Sequence, residues 1–428
     1  MVKTNKKLVS IIGLGYVGLP LLVEFSKYNH VIGIDNDNQK IKLLKKGISY
    51  ISDVPNIKIK NINNAIYTND FSLVKNASTI IICLPTPVLK NKNPNLNIIT
   101  NAIKKISRYL LKDQLIVLES TTYPRTLKDV IAPLINRTKY KVGKNIYLAF
   151  SPERINPGSR KKITTIPKII GADDTKSLNM ARKIYSKVFN RVICTNNSSY
   201  AEAAKLTENI FRSVNIALVN ELKIIYDKMG IDIWEVINLA KTKPFGYMPF
   251  YPGPGLGGHC IPIDPLYLSW QAKNFGLETK FINLSAKINS NMPKYIVDKS
   301  LKKIKQFYPS IVPKNLKVLI FGVAYKKDVN DLRESPALEI MKILRKKNIN
   351  FDFYDKYISK IDDMRHYPEF KGMSSIKYTN KNIKKYHMII LVTDHTDFEY
   401  KKLLNNFSLI IDTRNKLKNL SSKYIYKL

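Results

Sequence analysis

The sequence predicts an α/β protein built from two doubly wound parallel sheets joined by a long central helix. Three observations carry that prediction. Short apolar runs alternate with helical stretches through the N-terminal half, the first of them followed by the glycine-spaced turn Gly13-Leu14-Gly15-Tyr16-Val17-Gly18. A second strand-and-helix series begins near Pro313. Between the two, a helical pattern runs from about Tyr200 to Met229 and stops at Gly230.

The first run, Leu8–Ile12, reads as a buried strand, and the pattern after Gly18 as a helix through Phe25. A second strand, Val31–Ile34, ends in Asp35. In this context the glycines form a dinucleotide fingerprint, typical of a Rossmann-like domain. Gly13 makes the tight turn, Gly15 lets the backbone approach a pyrophosphate, and Gly18 lets the helix pack on the strand. Tyr16 and Val17 complete the turn, and the helix N-terminus faces the phosphates. Asp35, seventeen residues after Gly18, is placed to accept from a ribose 2′-hydroxyl and to repel a 2′-phosphate. NAD is therefore expected as cofactor rather than NADP.

Further strands are expected at Thr79–Cys83, Leu115–Glu119, Ile146–Phe150, Ile169–Gly171 and Val192–Cys194, alternating with helices as a parallel sheet requires. Polar clusters follow them: Pro85-Thr86-Pro87, Ser120-Thr121-Thr122 and Ser151-Pro152-Glu153-Arg154. Each alone is an ordinary turn with a helix cap. Together they stand at the carboxyl ends of strands, where an open α/β sheet binds ligands.

On the central helix Lys205 and Asn209 lie four apart, on one face. Its stretch from Ile210 to Leu222 is apolar on more than one side, which suggests a domain connector and a dimer interface. Helices at Ile233–Ala240 and Pro265–Gly276 flank the loop from Tyr251 to Pro265. Four glycines and three prolines in twelve residues rule out a helix there. The loop carries Cys260, with Asp264 four residues on. Two readings stay open: a nucleophilic thiol, or a rigid interdomain turn holding a buried structural cysteine.

The second α/β series has strands at Lys317–Gly322, Asn350–Tyr354, Met388–Val392 and Leu409–Ile411, and Ser335-Pro336 starts a helix. It lacks the full glycine fingerprint. It does place Lys326, Arg333 and Arg414 near strand ends, where they suit a phosphate-bearing ligand other than the dinucleotide. Lys326 reads equally well as a solvated surface lysine. The expected domains are 1–198 for the dinucleotide, 199–300 as a helical dimerisation domain with the cysteine loop, and 312–428 for the second ligand.

Composition bounds the rest. At 428 residues the chain exceeds one core. No run reaches ~18 uninterrupted apolar residues, and the N-terminus enters the glycine motif at once, so neither a membrane span nor a signal peptide is expected. Three widely spaced cysteines, Cys83, Cys194 and Cys260, fit a reduced, cytoplasmic chain, and Cys83 and Cys194 end apolar runs as core residues do. No spacing suggests a metal. The net charge of +38 is spread along the chain with an excess of Asn and Ile, as an AT-rich genome produces, so nucleic acid is not expected as a partner.

With these residues in place, the chain resembles the nucleotide-sugar 6-dehydrogenases of the UDP-glucose/GDP-mannose dehydrogenase superfamily over nearly its whole length. The resemblance rests on the Gly13–Gly18 fingerprint, Ser151-Pro152-Glu153-Arg154, and Glu202-Ala203-Ala204-Lys205 with Asn209. It also rests on Gly257-Gly258-His259-Cys260 with Asp264, Gly322-Val323-Ala324-Tyr325-Lys326-Lys327-Asp328, and Arg333-Glu334-Ser335. Members acting on UDP-glucose or GDP-mannose typically carry lysine just before the aspartate; here that position is Ile263. With Lys243-Pro244-Phe245-Gly246-Tyr247 upstream, the loop looks more like that of members oxidising UDP-N-acetylhexosamines, UDP-N-acetylglucosamine above all.

The resemblance implies oxidation of a sugar primary alcohol to a carboxylate with two NAD reduced. It casts Cys260 as the nucleophile that traps the aldehyde, and Lys205 with Asn209 as stabilisers of the oxyanion. Asp264 and Glu153 position and deprotonate water, and Thr121 holds water or cofactor. Pro85, Thr86 and Arg333 carry over to the cofactor, and Arg154, Tyr251, Gly257, Tyr325, Lys326 and Arg414 to the nucleotide sugar. His259 is expected to be a structural or substrate-loop residue, because neighbours in extended backbone point to opposite faces.

Overall fold

The computed structural model describes residues 8–428 apart from 52, 90, 92, 156, 157, 159–161, 259, 365 and 407. The N-terminal expectation for residues 1–7 and the reading of His259 lie outside the described residues. The chain divides into two compact units, the first made of Met1–Asn209 and Leu266–Glu278, the second of Ile210–Pro265 and Thr279–Leu428.

Unit one is built on eight strands: β1 Leu8–Ile12, β2 His30–Ile34, β3 Ala65–Thr68, β4 Thr79–Ile82, β5 Gln114–Leu118, β6 Ile146–Phe150, β7 Lys168–Gly171 and β8 Val192–Thr195. Their order is β3-β2-β1-β4-β5-β6-β7-β8. Both faces are covered: Val9 and Ile11 join one core and Ile12 another. That is why these strands read as unbroken apolar runs rather than alternating ones. The order reverses between β1 and β4, and the glycine turn leaves β1 at this switch point.

One expectation is corrected. The sheet is not wholly parallel, because β7 meets β6 antiparallel at Phe150↔Gly171, while β7 and β8 pair parallel. Parallel neighbours need a crossover, usually helical. Helix Thr175–Tyr185 supplies one between β7 and β8, whereas among the described residues the β6–β7 connection holds only the short turn Ile163–Thr165. The chain turns back there instead of crossing over.

Unit two holds the sheet β10-β9-β11-β12-β13, parallel throughout, from β9 Lys317–Phe321, β10 Asn350–Tyr354, β11 Met388–Leu391, β12 Leu409–Asp412 and β13 Ile425–Lys427. Val318 and Ile320 face one core, Leu319 and Phe321 the other. Two long helices belong to the middle of the chain. Ser198–Met229 ends at Gly230 with φ +73°, the left-handed stop its sequence announces. Lys280–Phe307 continues through Pro293. No helix among the described residues is long and apolar enough to cross a membrane.

Cys83 is buried in the core, while Cys194 is half-buried at the rim of the same cluster, short of the core position expected. Cys260 is exposed, which removes the buried structural reading of that residue.

Candidate active site

The dinucleotide turn in unit one has the geometry its glycines imply. Gly13 has φ +91°, and a Cβ there would lie 2.6 Å from the Cys83 carbonyl oxygen. A Cβ on Gly18 would collide with the Gly13 carbonyl, so the helix seats directly on the strand. A Cβ on Gly15 would meet nothing within 4 Å. Helix Gly18–Ser26 begins at Val17 with no side-chain cap and no acidic residue in its first turn. Its N–H groups and dipole thus suit an anion. Tyr16 and Val17, half-buried, pack on the core beneath.

At the end of β2 the Asp35 carboxylate accepts from the Leu14 N–H at 2.9 Å and the Asp37 N–H at 2.9 Å. A carboxylate has about four acceptor positions, which leaves room for a ribose hydroxyl. These residues fit NAD. Asp35→Ala removes a charged acceptor worth roughly 1.5–3 kcal/mol to a ligand. The apparent KM for NAD should then rise about 10- to 100-fold, and discrimination against NADP should fall. Unchanged discrimination, read from NADH and NADPH formation, would show that Asp35 does not select the cofactor.

The turns after β4 and β5 lock together. The Thr86 hydroxyl donates to the Thr121 carbonyl at 2.8 Å, and Tyr267 donates to the Thr86 carbonyl. Pro85 is exposed beside buried Thr86, and Thr121 is half-buried. The segment beyond Thr121 is held by Glu202 of the central helix, whose carboxylate accepts from the Arg125 N–H at 2.5 Å and the Leu127 N–H at 2.9 Å. Burial pushes the Glu202 carboxyl up to about 8 despite these two donors.

The folded state therefore holds a proton on Glu202 that the unfolded chain, near 4.5, has already released. The contribution of this group to stability is full below about 4.5. It is lost as pH rises through about 8, on the order of a few kcal/mol in all. Glutamine does not titrate, so the melting temperature of the chain minus that of Glu202→Gln should fall between pH 5 and pH 8. A flat difference would contradict the raised carboxyl.

Around β6, unit one gathers Glu153, Arg154, Lys205 and their neighbours. The Lys205 ammonium donates to the Glu153 main-chain carbonyl, and Lys205 and Asn209 are both buried on the same helix face. Arg154 donates to the Pro167 carbonyl at 2.8 Å and pairs with Glu208 at 2.6 Å. Glu153 Oε1 accepts from the N–H groups of Arg154 at 2.6 Å and Ile155 at 2.7 Å, and Oε2 lies 3.1 Å from Lys168 Nζ.

Lys168 also pairs with Glu119 at 2.6 Å, and the Tyr185 hydroxyl donates to Glu119 at 2.5 Å. Burial raises the Glu119 carboxyl, the Lys168 ammonium opposes it and the Glu153 charge adds to the rise. For Lys168 burial pulls the ammonium down, but the two carboxylates outweigh it and hold it above its usual value. The sequence reading missed Glu119 and Lys168. A charged residue at the boundary of an otherwise apolar strand run was the available signal, since a buried charge needs a partner.

In unit two the cysteine loop lies against the second sheet. A Cβ on Gly257 would come within 2.8 Å of Tyr325 Cβ and 3.0 Å of the Glu334 carbonyl, and Gly258, at φ +85°, packs on the Tyr325 ring. The Gly258 N–H donates to the Arg333 carbonyl at 2.8 Å. A Cβ on Gly253 would meet the Arg414 guanidinium at 2.8 Å. The loop is further tied by a chain of amides. Asn220 accepts from the Gly253 N–H at 3.0 Å and donates to Asn289, which donates to the Ser213 carbonyl. Tyr251 stacks on Trp234 with ring centroids 5.9 Å apart.

Of the residues expected at the nucleotide sugar, Gly257 thus meets Tyr325, and Arg414 meets the same loop at Gly253. Arg414 also donates to the Val392 carbonyl at 2.7 Å. Lys326 is half-buried. The exposed Arg333 forks onto Asp331, at 2.6 Å from Nη2. Cys260 stays exposed, and its carbonyl accepts from the N–H of buried Asp264, the first residue of helix Asp264–Lys273, at 2.8 Å. Ile263, just before Asp264, is buried.

Unit two repeats the backbone latch of unit one. Gly13 donates to Ile34 and Gly322 to Tyr354, each at 2.8 Å, and both glycines have positive φ. Asp355 takes the place of Asp35, but it accepts from Val323, Ala324, Tyr357 and Ile358 N–H groups and meets His395 Nε2 at 3.1 Å. Burial would raise the Asp355 carboxyl; His395 and the backbone donors outweigh it and hold it below its usual value. The His395 Nδ1 accepts from the Asp328 N–H at 2.9 Å, which fixes its neutral tautomer. The sequence reading identified neither Asp355 nor His395.

A dinucleotide turn on one sheet and a thiol loop packed against the other define an NAD-dependent nucleotide-sugar dehydrogenase. The chain belongs to the UDP-glucose/GDP-mannose dehydrogenase family. It matches that family's NAD binding domain over residues 7–189, its central domain over 199–291 and its UDP binding domain over 319–419. It is 32% identical over 394 residues to the UDP-N-acetyl-D-glucosamine 6-dehydrogenase of Pseudomonas aeruginosa, covering 91% of each chain. It is 33% identical over 428 residues to the UDP-N-acetyl-D-mannosamine dehydrogenase of Methanococcus aeolicus, covering 96% of this chain and 91% of that one. A solved UDP-D-ManNAc dehydrogenase from Pyrococcus horikoshii superposes with a TM-score of 0.85 at 30% identity, covering 95% of both chains.

Proposed function

We propose that this chain oxidises the 6-hydroxyl of a UDP-N-acetylhexosamine to the uronic acid, with UDP-N-acetylglucosamine as the first substrate to test. The observation that carries the reading is the exposed Cys260 at the end of a loop whose glycines are moulded onto Tyr325 and Arg414 of the UDP binding domain. The gluco and manno epimers are both named among relatives of nearly equal identity, so the epimer is the open choice. Galactosamine and glucose analogues complete the panel.

NAD would be held by the Gly13–Gly18 turn and Asp35, and would supply the hydride acceptor for each of two oxidations. The Cys260 thiol releases its proton to solvent, the thiolate sulfur adds to the aldehyde carbon as the C=O π bond opens, and the resulting oxyanion takes up a proton from solvent to become a hydroxyl. Lys205 and Asn209 stabilise that oxygen. The second oxidation leaves a thioester on Cys260, which water hydrolyses to the carboxylate and the free thiol, with Asp264 and Glu153 at the water and Thr121 beside the reacting carbon. A covalent intermediate keeps the aldehyde from escaping between the two steps. Incubation with NAD and the sugar panel, followed at the NADH absorbance, tests the reading. Two NADH per sugar consumed support it, and one per sugar rejects it.

We further infer a cytoplasmic homodimer or higher homo-oligomer formed through the central helices. Phe211, Leu218 and Ile225 are exposed on that helix at seven-residue intervals, a stripe suited to a second copy.

A further inference from the structure

We propose that Lys168 is a positioning residue for this oxidation: by clamping the Glu153 side chain against Glu119 it fixes the turn after β6, and with it the main-chain carbonyl that aims Lys205. The inference rests on the reading that Lys205 acts at the sugar.

Lys168, Glu119 and Glu153 are 2%, 1% and 8% exposed. Each comes from a different strand end, at the start of β7, after β5 and after β6. Such a triad is expensive to bury, and well-packed apolar residues of similar volume often replace one without loss of stability. Its presence next to the reacting groups therefore calls for a role other than stability.

The connectivity supplies that role. Glu153 is held at both ends: its carboxylate takes Lys168 on one oxygen and two N–H groups on the other, and its carbonyl takes the Lys205 ammonium. The two lysines thus grip one residue, one through the side chain and one through the main chain. With three donors on it the carboxylate is held as a strut. The groups facing Lys168 are Glu119, Glu153, the Tyr185 hydroxyl on Glu119, and the Tyr185 and Phe189 rings, at 5.7 and 5.2 Å from the ammonium. The buried Cys83 thiol feels the same charges.

The experiment is steady-state kinetics of Lys168→Met and Lys168→Arg, with NAD affinity measured by fluorescence titration. Displacing Lys205 by an ångström should lower kcat about 100-fold. NAD affinity should hold within about twofold, so that the loss falls on kcat. Lys168→Arg should restore kcat. If Lys168→Met does not fold, Lys168→Met combined with Glu119→Gln removes one of the two carboxylates left without the lysine and is read the same way.

A folded Lys168→Met variant with wild-type kcat overturns the proposal. So does a loss shared equally by NAD affinity and not relieved by arginine. The two readings fail separately. Full turnover by Lys205→Ala sinks the role of Lys205, whereas full turnover by Lys168→Met beside an inactive Lys205→Ala sinks the positioning.

Discussion

Replacing Cys260 by serine is expected to abolish formation of the uronic acid while leaving NAD binding intact. The fall should be on the order of 10⁴-fold, as for removal of other covalent nucleophiles. A serine hydroxyl at neutral pH is almost wholly protonated and is a far weaker nucleophile than a thiolate. The first oxidation does not need the thiol, so a small yield of aldehyde can persist, trapped by a hydrazine reagent. The loop itself should not move. Its fixing points are the Gly253 N–H on Asn220 and the Gly258 N–H on the Arg333 carbonyl, neither of which involves the thiol. Full acid formation by Cys260→Ser would refute the covalent step.

Lys205→Ala should lower kcat by about 100- to 1000-fold, the usual loss when a preorganised donor to a developing oxyanion is removed. NAD affinity should change little, because the dinucleotide turn makes its contacts through β1 and β2. The variant also removes the donor from the Glu153 carbonyl, a buried group whose unsatisfied cost is about 1–3 kcal/mol. Some loss of melting temperature is therefore expected alongside. Lys205→Arg separates the two effects: it can keep the carbonyl satisfied, yet its broad planar fork does not replace a compact ammonium at the reacting oxygen. Should only NAD affinity fall in Lys205→Ala, the lysine belongs to the cofactor rather than to the chemistry.

Much of this molecule was legible because its signals are local. A strand buried on both faces must be apolar throughout, and central strands such as Leu8–Ile12, Thr79–Ile82 and Met388–Leu391 announced themselves in that way. The two that escaped, Ala65–Thr68 and Ile425–Lys427, are short edge strands with a polar residue at one end and little apolar length. Helix Lys280–Phe307 was missed for a different reason. Pro293 within it removes a backbone donor, so sequence alone argues for a break. The freed Asn289 carbonyl lies beside Gly255 of the cysteine loop, where a Cβ would come within 3.4 Å, so the interruption is absorbed by packing that no local window reveals.

Partnerships across the sheet were also invisible. Glu153 could be marked as a functional acid from its motif, but its tie to Lys168 depends on β7 lying beside β6. That adjacency comes from the one antiparallel pairing that the alternating pattern did not foretell. Asp35 was found through its spacing from the glycines. Asp355 was not, because its glycine turn carries a single glycine of the fingerprint.

The contrast between those two aspartates has a consequence for stoichiometry. Five neighbours already crowd the Asp355 carboxylate, more than its lone pairs can serve one apiece, whereas Asp35 keeps acceptor capacity in reserve. An adenosine sugar arriving at the second latch would find it shut. One NAD per chain is therefore the expected result of an equilibrium titration, even though the same backbone device occurs twice.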